Sequence, residues 1–226
     1  MKIKQRVATV LKRIIDAERE YKRQPGSVRL LAVSKEKTAA QVQEAFQCGL
    51  TDFGENYLQQ ALEKIQALVQ NPIHWHFIGT IQRNKTKLIA ENFSWVHSVD
   101  RKLIAQRLND ERPPTLPPLN ICIQLNLDDE PQKGGISAQQ LADLAGEISK
   151  MSRLRLRGLM VIPKYQPHFA EQYASFSKAF SVYQELKNAG FSLDTLSMGM
   201  SKDLEAAIAA GATMVRVGTD LFGPRA

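Results

Sequence analysis

Eight times along this chain a short apolar run gives way to a segment of helical periodicity, and that alternation restricts the fold more than any other feature. The runs fall at 28–35, 50–56, 73–79, 94–99, 120–126, 154–160, 194–198 and 214–217. Continuous apolar runs such as Leu30-Leu31-Ala32-Val33 suit strands buried on both faces, as in parallel sheets. Strand–helix alternation implies parallel strands joined by right-handed crossovers. Eight such units predict an α/β fold that closes as a (β/α)8 TIM barrel. An open sheet of this length commonly carries a G-x-G-x-x-G loop, and none is present. Residues 2–22 form an additional N-terminal helix with Val7, Val10, Leu11, Ile14 and Ile15 on one face. Residues 1–226 are expected to be a single domain.

Local signals mark the helix ends. Thr38 and Gln41 make a capping box, and Ser137 with Gln140 a second. Asp100 is placed as the cap of a helix to about Asn109, and Ser201 as the cap of a helix to Ala210. Gly49, Gly190 and Gly211 end helices, and Asn71-Pro72 stops another.

Composition removes several function classes. Hydrophobic residues make up 43 % of the chain, enough for a sizeable core. No apolar run approaches the ~18 residues of a membrane span. The charged start, Met1 to Arg6, leads into an amphipathic segment rather than a signal-peptide core, so a cytoplasmic location is expected. The net charge of +7 is spread along the whole chain. No block of basic residues interleaved with aromatics marks a nucleic-acid surface. Cys48 and Cys122 lie far apart and read as reduced, buried thiols.

Barrels place their chemistry at the C-terminal ends of the strands. Here those ends carry Lys35, Asn56, Gly79, Asp100, Asn126, Met160 with Pro163, the 197–201 segment, and the 216–219 segment. Lys35 closes its apolar run. Partial desolvation at such a place favours a nucleophilic amine able to form a Schiff base; an ordinary strand-end lysine is the competing reading. Ser197-Met198-Gly199-Met200-Ser201 combines glycine, hydroxyl and a following helix, and Val217-Gly218-Thr219 adds another glycine and hydroxyl; together they make the pattern of a phosphate cradle after strands seven and eight. Arg216 interrupts an apolar strand, so it either faces the barrel mouth or pairs with an acid such as Glu55 or Asp220. His74 and His76 share a strand face, but without a third ligand they make a poor metal site. Asp128-Asp129-Glu130 lacks the glycine and spacing of a calcium loop.

Six motifs, in order, carry a resemblance over essentially the whole chain after the first helix. They are Ala32-Val33-Ser34-Lys35, Phe53-Gly54-Glu55-Asn56-Tyr57, His76-Phe77-Ile78-Gly79 with Gln82 and Asn84-Lys85, Arg157-Gly158-Leu159-Met160, Leu196 to Ser201, and Val215-Arg216-Val217-Gly218-Thr219. The sequence resembles the pyridoxal-phosphate homeostasis proteins, single barrels similar to the N-terminal domain of fold-type III enzymes such as alanine racemase. The resemblance implies that Lys35 holds pyridoxal 5'-phosphate (PLP) as an internal aldimine. It implies that Ser201, Gly218 and Thr219 hold the phosphate, that Arg216 faces the pyridine nitrogen, and that Asn56 lines the pocket beside the ring.

It further implies a carrier or regulator of intracellular PLP, affecting amino-acid and keto-acid balance, with no turnover reaction. PLP-dependent apoenzymes would be the recipients, and nucleic acid and membrane are not expected as partners. Racemases of this fold add a β-rich domain that supplies a tyrosine across a dimer. The sequence runs only seven residues past Thr219, so a monomer without that domain is expected. The alternatives are a racemase-like PLP enzyme, with Tyr57, Tyr165 or His76 as its second proton-transfer group, and a Schiff-base aldolase acting on a sugar phosphate.

Overall fold

The computed structural model describes residues 2–128, 130 and 134–224. It opens with α1 (Ile3–Glu20), then β1 (Arg29–Val33), α2 (Ala39–Gln47), β2 (Asp52–Glu55), α3 (Leu58–Ala67) and β3 (His74–Phe77). A 3-10 turn (Arg83–Lys85) leads into α4 (Thr86–Asn92), followed by β4 (Trp95–Val99), α5 (Lys102–Glu111), β5 (Leu119–Leu125) and α6 (Ala138–Ser149). The last units are β6 (Leu154–Val161), α7 (Phe169–Asn188), β7 (Thr195–Ser197), α8 (Leu204–Ala209), β8 (Met214–Val217) and the short α9 (Thr219–Phe222), which the sequence had not suggested. The strands pair in sequence order, all parallel, and β8 closes on β1 with Leu31 opposite Arg216. This is the expected closed (β/α)8 barrel with an N-terminal helix.

Strand alternation sends one set of side chains outward to the helices and the other into the barrel. The outward set builds the main core: Phe53, Phe77, Val96, Ile121, Leu196 and Val215 pack against apolar helix faces. The inward set is different. Barrel interiors are commonly filled with layers of branched apolar side chains. Here Asp52, His76, His97, Ser197 and Arg216 point inward and bond to one another, beside the small apolar cluster of Trp95, Cys122 and Met160.

Helix α1 lies outside the barrel against α2, α8 and α9. Its buried stripe is Ile3, Val7, Val10, Ile14 and Ala17, spaced four and three apart. Ile15 is not part of it and stays 53 % exposed, because one residue past Ile14 is a 100° rotation away from the packed line. The buried Glu18 carboxylate accepts the amides of Gly26 and Val28 at 2.9 and 2.8 Å, which fastens the loop entering β1.

Several caps differ from expectation. Thr38 and Gln41 form their capping box, with Thr38 Oγ1 accepting from the Gln41 amide at 3.2 Å. Ser137 makes no side-chain cap bond; its hydroxyl meets the Gln140 side chain instead. Arg101, not Asp100, precedes α5, and Asp100 pairs with the Arg101 guanidinium. Asp203, not Ser201, precedes α8: Asp203 Oδ1 accepts from the Met200 amide, and 201–203 form a turn. Cys122 is buried as expected, and burial pushes its thiol up to about 12; Cys48 is only half-buried. Asp129 of the acidic loop lies outside the described residues. No helix among the described residues is long and apolar enough to cross a membrane.

Candidate functional site

A cavity of about 370 Å³ opens at the C-terminal ends of the strands. All six residues singled out from the sequence line it: Lys35, Asn56, Ser201, Arg216, Gly218 and Thr219. They come from the ends of β1, β2, β7 and β8, so barrel closure is what brings them together.

β1 stops at Val33, two residues before Lys35. The Ser34 amide still bonds the Gly54 carbonyl at 3.0 Å, and the chain then turns, closed by the Lys37 amide on the Ser34 carbonyl at 3.0 Å. Glu36 sits in this turn at φ +60, a conformation that costs a non-glycine residue roughly 1 kcal/mol or more. Lys35 thereby leaves the strand register and enters the cavity wall. Lys37, which lies outside that register, lines the cavity too, with its ammonium on the Pro224 carbonyl.

Asn56 follows β2. Its Oδ1 is buried and has no hydrogen-bond partner, an acceptor left over in the cavity wall. Asn56 can take this place only because the neighbouring residue is Gly79, where a Cβ would lie 2.1 Å from the Asn56 carbonyl oxygen. Behind the same strands, Lys64 of α3 bonds Glu55 Oε1 and the Ser34 carbonyl, both at 2.7 Å. Burial pushes the Glu55 carboxyl up, against the pull of Lys64 and Ser34.

The loop after β7 turns at Gly199, φ +90, where a Cβ would meet that of Ala207 at 2.4 Å. It brings Ser201 beside the start of α9, and Ser201 Oγ accepts weakly from the Asp220 amide at 3.4 Å. Arg13 of α1 ties both loops. It donates to the Ser201 carbonyl at 3.0 Å and pairs with Glu205 and Asp220. Burial pushes the Asp203 carboxyl up, while the Met200 amide and the nearby Arg216 oppose that shift.

Arg216 pairs with neither Glu55 nor Asp220. It donates to Ser197 Oγ and to the Val161 carbonyl, both at 2.9 Å, and burial lowers its pKa to about 10, so it stays charged. Two of the five guanidinium N–H groups are thus spent on Ser197 and Val161, and Arg216 also lines the cavity. Of the suggested proton-transfer groups, Tyr165 lines the mouth, with Lys202 over its ring at 5.8 Å. Tyr57 is 49 % exposed at the start of α3, off the cavity. His76 is fully buried below it, between Asp52 and His97.

Residues 11–226 match the family model described as alanine racemase, N-terminal domain. A protein of Pseudomonas aeruginosa named pyridoxal phosphate homeostasis protein is 54 % identical over 99 % of this chain and 96 % of its own. The chain belongs to the pyridoxal phosphate homeostasis protein family. The member from Pasteurella multocida is 47 % identical over 100 % of this chain and 98 % of its own. Among solved structures, PipY of Synechococcus elongatus with PLP bound superposes with a TM-score of 0.84 at 35 % identity, covering 98 % of this chain and all of PipY. Within this pyridoxal phosphate homeostasis protein fold, sequence reading missed Arg13, Lys37, Lys64, His97 and Ser197. Of these only Ser197 sat inside one of the six motifs.

Proposed function

We propose that this chain binds PLP in the barrel-mouth cavity and acts as an intracellular PLP carrier or regulator. The observation that carries the reading is the cavity itself. It gathers the Lys35 amine, beside those of Lys37 on the Pro224 carbonyl and Lys202 over the Tyr165 ring, with one buried cation, Arg216, and the paired loops at 199–201 and 218–219.

Each feature has a counterpart in the cofactor. Bound there, PLP supplies an aldehyde that condenses reversibly with an amine. Of the cavity's lysines, Lys35 at the end of β1 is the amine assigned to this role; Lys37 donates to the Pro224 carbonyl and Lys202 lies over the Tyr165 ring. Ser201 Oγ and the Gly218 and Thr219 backbone, with the Thr219 hydroxyl, suit a phosphate. The unpartnered Asn56 Oδ1 suits a polar substituent of the ring. Arg216 faces the ring nitrogen as a donor. A fixed cation there disfavours protonating that nitrogen and so weakens the electron withdrawal that turnover requires. That favours holding and releasing the cofactor over racemising an amino acid. The recipients are PLP-dependent apoenzymes of the cytoplasm, and the chain works as a monomer.

The test is an absorption spectrum of the purified protein with PLP, beside Lys35→Ala. The reading expects a visible-edge band that borohydride removes and that the variant lacks. It also expects no racemisation or transamination of amino acids at an enzymatic rate. No band, or rapid turnover, sinks it.

A further inference from the structure

The polar interior of the barrel is one continuous chain of hydrogen bonds. Arg216 Nη1 donates to Ser197 Oγ at 2.9 Å. Ser197 Oγ lies 3.2 Å from His97 Nδ1, His97 Nε2 lies 2.9 Å from His76 Nδ1, and His76 Nε2 lies 2.8 Å from Asp52 Oδ1. Four strands besides β8 contribute one residue each. All but Asp52 are buried; Asp52 stands at the first position of β2, held by Arg29 at 2.5 Å.

The two ends fix the direction of every proton. A guanidinium can only donate, and an ionised carboxylate can only accept. Ser197 Oγ takes a proton from Arg216, so its own hydroxyl proton goes to His97 Nδ1. His97 then carries its proton on Nε2 and gives it to His76 Nδ1. His76 in turn carries its proton on Nε2 and gives it to Asp52. The reverse order would set a lone pair of His76 Nε2 against the Asp52 carboxylate unless Asp52 were protonated, and the Arg29 guanidinium opposes that. A buried polar group left unpaired costs about 1–3 kcal/mol, so the chain holds as a whole. Trp95 stacks on His76 at 5.3 Å, nearly parallel at 8°, and keeps the ring in its plane.

We propose that Asp52, His76, His97 and Ser197 form a positioning relay for Arg216. It locks the plane of the guanidinium at the cavity floor, with its unspent donors facing the ligand, and links ligand binding to Asp52 near the opposite end of the barrel. The proposal rests on the reading that Arg216 meets the PLP ring. These are positioning residues; none touches the cofactor.

The test has two readouts. The first needs no cofactor: long-range 1H–15N spectra of the imidazoles at pH 7.5. Both His76 and His97 are expected as neutral rings protonated on Nε2. Ser197→Ala is expected to move the His97 Nδ1 resonance toward that of an unbonded lone pair, with the backbone amide spectrum otherwise kept. The second is a PLP titration followed by absorbance. Ser197→Ala is expected to raise the dissociation constant about three- to tenfold, the size of one lost hydrogen bond, and to shift the band maximum. Ser197→Thr keeps the hydroxyl and is expected to restore both. An Nδ1-protonated or cationic His97, or a Ser197→Ala protein that titrates like the parent, overturns the relay while the PLP reading stands. A parent protein with no PLP band overturns both.

Discussion

Arg13 on α1 donates to the carbonyl of Ser201 at 3.0 Å across 188 residues of sequence. The same guanidinium grips Glu205 at 2.7 Å and Asp220 at 2.5 Å. The helix that precedes the barrel is therefore part of the mouth: it pins the loop after β7 to the start of α9. Asp220 also lines the cavity, and Arg13 offsets its charge beside a place where an anion would sit.

Arg13→Ala is therefore expected to weaken binding more than folding. The network is partly exposed, so the stability loss should be about 1 kcal/mol. PLP affinity should fall several-fold, and affinity for inorganic phosphate as a competitor should fall in parallel. Arg13→Lys should rescue little, because an ammonium cannot hold Glu205 in bidentate fashion while reaching Asp220 and the Ser201 carbonyl. Competition titrations against PLP absorbance check this; an unchanged phosphate constant in Arg13→Ala would refute it.

Gly79→Ala should act on the site through the backbone. The added methyl would lie 2.1 Å from the Asn56 carbonyl oxygen, far inside contact distance, and that oxygen belongs to main chain that has no rotamer to yield. A loss of roughly 2 kcal/mol or more in denaturant unfolding is expected. The PLP band should weaken or shift as Asn56 is displaced. A variant as stable as the parent would mean that β3 slides freely at this point.

The buried pair Lys64–Glu55 is predicted to be strongly non-additive. Lys64→Met alone strands a buried carboxylate that already has one unpartnered oxygen, and should cost about 3–5 kcal/mol. Adding Glu55→Met removes the stranded charge and should recover most of that loss. Urea unfolding of the two single variants and the double variant gives the coupling energy. Additive losses would show that the pair is not a unit.

The fold was legible because its signal is local and repeated: each apolar run and each amphipathic stretch announces itself within about ten residues. Lys35, Asn56 and Arg216 were legible because strand ends are where barrel chemistry sits. What escaped depends on pairing across the chain. Nothing near Arg13 says that it meets Ser201, and nothing near His97 says that it meets His76 and Ser197. The cap of α8 was misassigned because Ser201 and Asp203 are both good caps within one loop, and only the turn at 201–203, which delays the helix to Leu204, decides between them. Ile15 was misassigned because apolar neighbours on a helix need not share its packed stripe. The role of His76 was not read because His74 and His76 were weighed as metal ligands and set aside, whereas both lie against Asp52, at 3.7 and 2.8 Å.

Those histidines make the fold sensitive to acid. Burial lowers His76 to about 4, against a partial pull upward from Asp52, and Arg29 and His74 lower it further. His97 is lowered as well, by burial first and then by the charges of His76, Arg216 and Arg29. An unfolded histidine titrates near 6.5, so between about pH 6.5 and pH 4 the unfolded chain binds protons that the folded chain refuses. Stability must therefore fall as pH drops through that window. His76 alone should remove about 2 kcal/mol between pH 7 and pH 5, and His97 adds to it with the same sign. The Asp52 carboxyl does not oppose this. Burial would raise it, but the His76 bond and the Arg29 charge hold it below its ordinary value, so its own contribution is lost only at lower pH. Guanidinium midpoints at pH 7 and pH 5 measure the effect, and His76→Gln should flatten the slope by nearly one proton. A stability that is level or rising from pH 7 to pH 5 would mean that the imidazoles accept protons in place, and the one-way chain from Arg216 to Asp52 would have to be abandoned.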